Sequence, residues 1–148
     1  MSDFEFSGNT AAVDELARQI GALGRRDFQR RMLGEMADAG VDLVHEEFAQ
    51  SHDPEGRGWA PLKHPRPQHI GAGPLVKTGA LQGSIKRRLT PEGFVLYTLK
   101  KYAGFHQQGT SRMVARPFFP VGNPPGTWLT RFDLIADAHM RRLLPMAA

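Results

Sequence analysis

The chain has 148 residues, 41% hydrophobic and 23% charged, with 16 glycines and 11 prolines; this suits one loop-rich domain that buries about two-thirds of the surface its unfolded form exposes, with no staple required. The absence of cysteine excludes a disulfide framework, thiolate zinc sites and a cysteine nucleophile together. The net charge of +4 divides unevenly: residues 1–56 carry 5 basic and 12 acidic side chains, residues 57–116 carry 11 and 1, and the remainder carries 3 and 2, so an acidic part precedes a basic one.

Residues 1–8 lack periodicity and read as a flexible arm, polar rather than basic and then apolar, and no apolar run approaches the roughly 20 residues of a membrane span. A soluble chain without a signal peptide is expected. Asn9 and Thr10 are suited to start a short first helix through Val13, Leu16, Ala17 and Ile20, stopped by Gly21 and Gly24. Asp27 then caps a longer helix whose apolar stripe is Phe28, Met32, Leu33, Met36, Gly40, Leu43, Val44 and Phe48. Pro54 prevents its continuation past Ser51, His52 and Asp53.

Residues 53–74 contain five prolines and read as a long loop, in which Trp59 is expensive to leave in water and is expected to be covered by its own domain or by a partner. Thr78 suits the cap of a helical turn with Leu81 and Ile85 on one face. Two strands follow. Ile85, Arg87 and Leu89 alternate with Lys86, Arg88 and Thr90, which predicts a half-exposed strand; Phe94–Leu99 is apolar almost throughout, which predicts a buried one; Pro91, Glu92 and Gly93 join them. Next come a helical turn ending at Gly109, an extended segment broken by Pro117 and Pro120, and a last helix from about Thr127 to Leu144 with Trp128, Phe132, Ile135, His139 and Leu143 on one stripe. The fold class expected is α+β, a small single domain over residues 1–148 with two N-terminal helices, a central antiparallel hairpin or sheet, the long loop and a C-terminal helix.

No catalytic constellation emerges. His64 and His69 are five apart in a proline-rich loop, and His45 and His52 are seven apart at a helix end; neither pair has the i, i+4 spacing that places two imidazoles on one metal. Asp14 with Glu15, and Glu46 with Glu47, are adjacent carboxylates that leave a helix in different directions and read as solvated faces. Gly-Ala-Gly-Pro at 71–74 and Gly-Arg-Gly at 56–58 lack the full glycine spacing and the Lys-Ser/Thr of a phosphate loop, and Ser84 lacks a nucleophile elbow. No enzyme, cofactor or metal is expected.

Several separated pieces, taken in order, carry a resemblance. They are Trp59-Ala-Pro-Leu-Lys63, then Leu75-Val-Lys-Thr-Gly-Ala-Leu81 with Ser84-Ile85, then Tyr102-Ala103, His106-Gln107 with Gly109, and Ala115-Arg-Pro-Phe-Phe119. Together they resemble the phage virion-morphogenesis family of tail-completion proteins, with its Mu-like and P2-like members, and are similar to the wider siphophage tail-completion group. The chain departs from the common pattern in a long insertion, His64–Pro74, and in Gly-Asn-Pro-Pro-Gly before the last helix.

The resemblance implies a structural subunit that forms a homo-oligomeric ring, typically of six copies, at the head-proximal end of a phage tail, assembled in the host cytoplasm and carried in the virion at the head-tail junction. It would bind a neck or connector protein on one side and the tail terminator or tail tube on the other. A closing ring needs two different complementary patches on each copy, which the acidic and basic parts could supply. Trp59, Tyr102, Phe105, His106, Gln107, Arg116, Phe118 and Phe119 are the candidate contacts with a neighbour, since interface cores favour aromatics and arginine; the aromatics among them would equally fill the domain's own core, and His106 and Gln107 suit local backbone groups. Lys86, Arg87, Arg88, Lys100 and Lys101 are candidates to line a lumen through which DNA passes without sequence recognition, although an exposed strand carries such residues for solubility alone. A tail terminator or another neck connector is the nearest alternative. A basic nucleic-acid-binding module is the alternative from another class, favoured by residues 57–116 and lacking a groove-reading motif.

Overall fold

The computed structural model describes residues 4–7, 26–64 and 73–143. In chain order the elements are β1 (Phe4–Ser7), α1 (Arg26–Gln50), α2 (Ala80–Gly83), β2 (Lys86–Thr90), β3 (Gly93–Thr98), α3 (Ala103–Gln108) and α4 (Gly126–Leu143). The α+β class expected from the sequence is the class observed.

Helix α1 forms because 25 residues run without proline and its apolar positions recur at helical spacing. Met32, Leu33, Met36, Ala37, Leu43, Val44 and Phe48 are all buried on one face, each large side chain among them contributing about 1.5–3 kcal/mol. Gly40 sits on that face where α1 crosses β3, and a Cβ there would lie 3.0 Å from Leu96 Cδ1. The missing side chain lets helix and sheet approach closely. The helix ends as Ser51 takes a left-handed conformation, with φ 56, and Pro54 follows.

The sheet is three-stranded and antiparallel, in the order β1-β3-β2. The hairpin pairs Thr90 with Gly93 and Arg87 with Leu96. Phe94, Val95 and Leu96 are buried, as a central strand requires. The strand stops at Thr98, one residue short of the apolar run, so Leu99 lies outside it and is 64% exposed. On β2 the expected alternation is not observed: Lys86, Arg87 and Arg88 are all exposed and Leu89 and Thr90 half-buried, because Arg87 pairs with Asp38 instead of entering the core, while the buried Ile85 precedes the strand.

Helix α4 lies antiparallel to α1. Contacts near the start of one helix fall near the end of the other: Glu35 meets His139, whereas Glu47 meets Trp128. Trp128 and Phe132 enter the core, and Phe132 stands edge-on to Phe94 with ring centroids 5.6 Å apart. One core therefore joins α1, the sheet and α4.

Two further expectations are corrected and two lie outside the described residues. Residues 4–7 are not an arm: Phe4–Ser7 pairs with β3 along Phe4↔Thr98 to Ser7↔Val95, because β3 has a free side for a second partner. The cap residue of α2 is Gly79, at φ 74, although the Thr78 hydroxyl still accepts the Ala80 N–H at 3.3 Å. The first helix expected from Asn9 to Ile20, and residues 65–72 of the long loop, lie outside the described residues.

Candidate interaction surface

The residues singled out between Trp59 and Phe119 divide into a buried clamp and an exposed patch. The clamp begins with the loop after α1. Asp53 closes it locally: its carboxylate accepts the Arg57 backbone N–H at 2.8 Å and the Arg57 Nε–H at 2.9 Å. The Trp59 N–H then bonds the Ser51 carbonyl at 2.8 Å, and its indole packs edge-on to Phe48 with centroids 5.4 Å apart. Trp59 is buried by its own chain.

The other jaw is the extended segment after α3. Gly109, at φ 74, ends that helix, and a Cβ there would sit 2.8 Å from the Ala115 nitrogen. Only glycine lets the segment fold back so closely. The Arg116 N–H reaches the His106 carbonyl at 2.7 Å, and the Arg116 guanidinium donates to the carbonyls of Ala60 at 2.7 Å and Pro61 at 3.0 Å. In return the Trp59 indole N–H donates to the Pro117 carbonyl at 2.8 Å. Loop and segment are thus stapled in both directions.

Gln107 anchors the two phenylalanines. Its Oε1 accepts the N–H groups of Phe118 and Phe119, both at 3.0 Å, and its Nε2 donates to the Phe119 carbonyl at 2.7 Å. An extended segment without a neighbouring strand has its backbone satisfied by one amide side chain. Phe118 and Phe119 are then fully buried, with Phe118 tilted against Phe48.

Trp59, Gln107, Arg116, Phe118 and Phe119 are each under 9% exposed and hold this chain together. Among the aromatic candidates Trp59, Phe118 and Phe119 fill the domain's own core, whereas Tyr102 and Phe105 do not. Gln107 does serve local backbone groups, as expected. His106 differs, since its Nδ1 is buried without a partner among the described residues. Burial, then the nearby Arg116 charge, hold its pKa below the ordinary 6.5.

The outward-facing residues are close together in sequence. Leu99, Tyr102 and Phe105 are 64%, 40% and 58% exposed, and Lys100 and Lys101 between them are exposed as well. Leu99 and Lys100 form one wall of an open groove of about 530 Å³ whose other wall is Ala80, Gly83, Ser84 and Lys86. The Ser84 hydroxyl donates to the Leu81 carbonyl at 2.6 Å, so it accepts from Thr98 Oγ1, also at 2.6 Å. Of the five candidate lumen cations, all are exposed, but Arg87 pairs with Asp38 at 2.7 Å and Arg88 stands 5.9 Å over the Tyr97 ring.

Several acids of α1 are answered from within the chain. Besides Asp38 with Arg87, Glu46 pairs with Arg131 at 3.2 Å, and Glu35 Oε2 lies 2.9 Å from His139 Nε2, off the direction a hydrogen bond needs. Glu47 is the residue that sequence reading misplaced. It is 2% exposed, not solvated; Oε1 accepts the Trp128 indole N–H at 3.0 Å, while Oε2 has no partner among the described residues. Burial pushes its pKa up to about 9 despite the indole bond, with the neighbouring Asp53 and Glu46 charges adding to the rise. At neutral pH it is a neutral acid. Its place between Val44 and Phe48 on the helical stripe was the available signal.

No cluster of three metal-ligating side chains exists among the described residues, and no helix among them is long and apolar enough to cross a membrane. The His45 Nε2–H donates to the Gln82 carbonyl at 3.1 Å, and His52 bridges Gln50 and the Asp53 carbonyl. No curated protein and no solved structure matched the chain significantly. A model of the phage virion morphogenesis family matched residues 8–127.

Proposed function

The chain belongs to the phage virion morphogenesis family, and from that premise we propose that it is a tail-completion subunit, joining head to tail as a ring of about six copies at the head-proximal end of the tail. The observation that carries this reading is the extent of the match, which takes in the Trp59 loop, the hairpin and the whole clamp through Phe119. In this role the chain performs no catalysis and holds no cofactor. Its neighbours are further copies of itself, a neck or connector protein, and the tail terminator or tail tube.

Exposed aromatic and aliphatic side chains beside lysines, on a scaffold whose interior is already complete, support a protein built for contact. The exposed Lys86, Lys100 and Lys101 are further suited to weak, sequence-independent contact with DNA in transit. Electron microscopy of intact particles tests the reading: the chain is expected as a closed ring at the head-tail junction, and its absence there overturns it. Submicromolar affinity for duplex DNA at physiological salt would instead favour a nucleic-acid-binding module.

A further inference from the structure

Resting on the ring reading, we propose that the groove beside Leu99 receives the outer face of α4 from a second copy of this chain. The groove side combines apolar surface with cations. Leu99, Tyr102 and Phe105 are exposed, and Lys86 and Lys100 rim the opening. Among the described residues, Lys86, Lys100 and Lys101 have no ion pair.

The second surface is on α4. Trp128, Phe132 and His139 turn inward, which directs the opposite arc of the helix to solvent. That arc is bounded by Leu129 and Leu134, 42% and 63% exposed, and it carries Asp133 and Asp137. Asp137 meets Arg141 one turn on, both well exposed, while Asp133 has no ion pair among the described residues. Two leucines beside carboxylates are the chemical complement of an apolar groove rimmed by lysines.

The two surfaces do not overlap on one copy. Helix α4 meets β3 at Phe94, through Phe132, whereas the groove lies past Thr98 at the other end of that strand. At about 3.3 Å per residue that separation is on the order of 15 Å. One copy therefore cannot satisfy its own groove with its own α4. Two distinct complementary patches produce a head-to-tail contact, the type that repeats around a closed ring. The charge this contact uses is carried by α4, through Asp133 and Asp137.

Charge exchange tests the contact. One variant carries Lys100→Glu with Lys101→Glu, the other Asp133→Lys with Asp137→Lys; circular dichroism checks that both remain folded. Sedimentation of the wild-type chain at rising concentration, and its incorporation into particles, give the reference. Each variant alone is expected to lose self-association and incorporation at least tenfold, and an equal mixture is expected to recover both, because each altered surface then meets its complement. Variants that assemble as the wild type does, or a mixture that recovers nothing, overturn the docking surface while the ring reading stands. A wild-type chain found as a monomer in particles overturns the ring reading itself. The cysteine-free sequence allows a second measurement, in which Lys100→Cys and Asp133→Cys chains are mixed under mild oxidation. A mixed disulfide dimer well above twice either homodimer, the ratio that random pairing gives, supports the contact, and no excess over that ratio overturns it.

Discussion

Residues 99–105 and residues 107–119 are neighbours in the chain, and they send their large side chains in opposite directions. The first stretch exposes Leu99, Tyr102 and Phe105; the second buries Gln107, Arg116, Phe118 and Phe119. Composition does not separate them, since both mix aromatics with cations. Polar satisfaction does. The backbone groups that the second stretch brings inside are met by side chains of the clamp, Gln107 for the phenylalanines and Arg116 for the Trp59 loop. Irregular backbone is costly to bury unless such partners are supplied; the first stretch, where the Thr98 hydroxyl accepts the Lys100 N–H at 3.2 Å, keeps Leu99, Tyr102 and Phe105 outside.

The contrast is most exposed to test at the phenylalanines. Phe118→Ala is expected to destabilise the fold by about 3–5 kcal/mol, since it removes a fully buried ring from between Phe48 and Phe119. Phe105→Ala is expected to stay within about 0.5 kcal/mol in the free chain. Denaturant midpoints of the two variants measure the difference; equal losses would mean that α3 does not divide inside from outside as described. The next largest effect tests the staple. Gln107→Leu keeps the volume but removes three hydrogen bonds to the backbone of Phe118 and Phe119, for an expected loss of about 2–4 kcal/mol. Gln108→Leu, on the exposed neighbour, should change little.

How far this division could be read from the sequence depends on whether a period announces it. The stripe of α1 and the inward face of α4 repeat at helical spacing, the run of β3 is apolar almost throughout, and each was legible. The clamp has no period. Phe118 and Phe119 are adjacent, lie in neither helix nor strand, and are both buried, their backbone N–H groups met by the amide of Gln107, eleven and twelve residues earlier. Strand β1 was illegible for a related reason: four residues pair with a partner far along the chain, with no turn to mark the pairing. Glu47 was hidden by its type, an acid occupying a position that its phase assigned to the core. The exposed patch was legible only as a group of candidate contacts, because sequence could not tell Phe105 from Phe118.

Glu46 and Glu47 repeat the same division on α1, one outward and one inward, and pH separates them. The Glu47 pKa stands at about 9 in the fold against an ordinary 4.5, so the folded chain holds a proton that the unfolded chain releases. Its contribution is therefore fully present below about pH 4.5 and is lost progressively as pH rises toward 9. At pH 7 the loss already amounts to about 3 kcal/mol. Glu47→Gln keeps an acceptor for the Trp128 indole and cannot ionise, so it is expected to be more stable than the wild type at pH 8 and no more stable at pH 4. His106 acts in the opposite sense, its lowered pKa costing stability as pH falls below 6.5. Chemical unfolding across pH 4–9 should show the Glu47 slope disappear in the glutamine variant; an unchanged slope would mean the acid is not buried as a neutral group.

The outward partner of that pair should show the smallest effect. Glu46 meets Arg131 at 3.2 Å, but the two side chains are 48% and 42% exposed, so each already has water to solvate its charge and ordering both long side chains offsets most of the attraction. Glu46→Ala is expected to cost about 0.5 kcal/mol or less in low salt, and the difference should fade as salt is raised toward 1 M, where the screening length shrinks to about 3 Å. It should also lower the Glu47 pKa, because the Glu46 charge is one of the causes holding it up. A large, salt-insensitive loss would show that Glu46 is held within the α1–α4 contact as firmly as Glu47, and the surface side of the helix would then have to be drawn one residue further out.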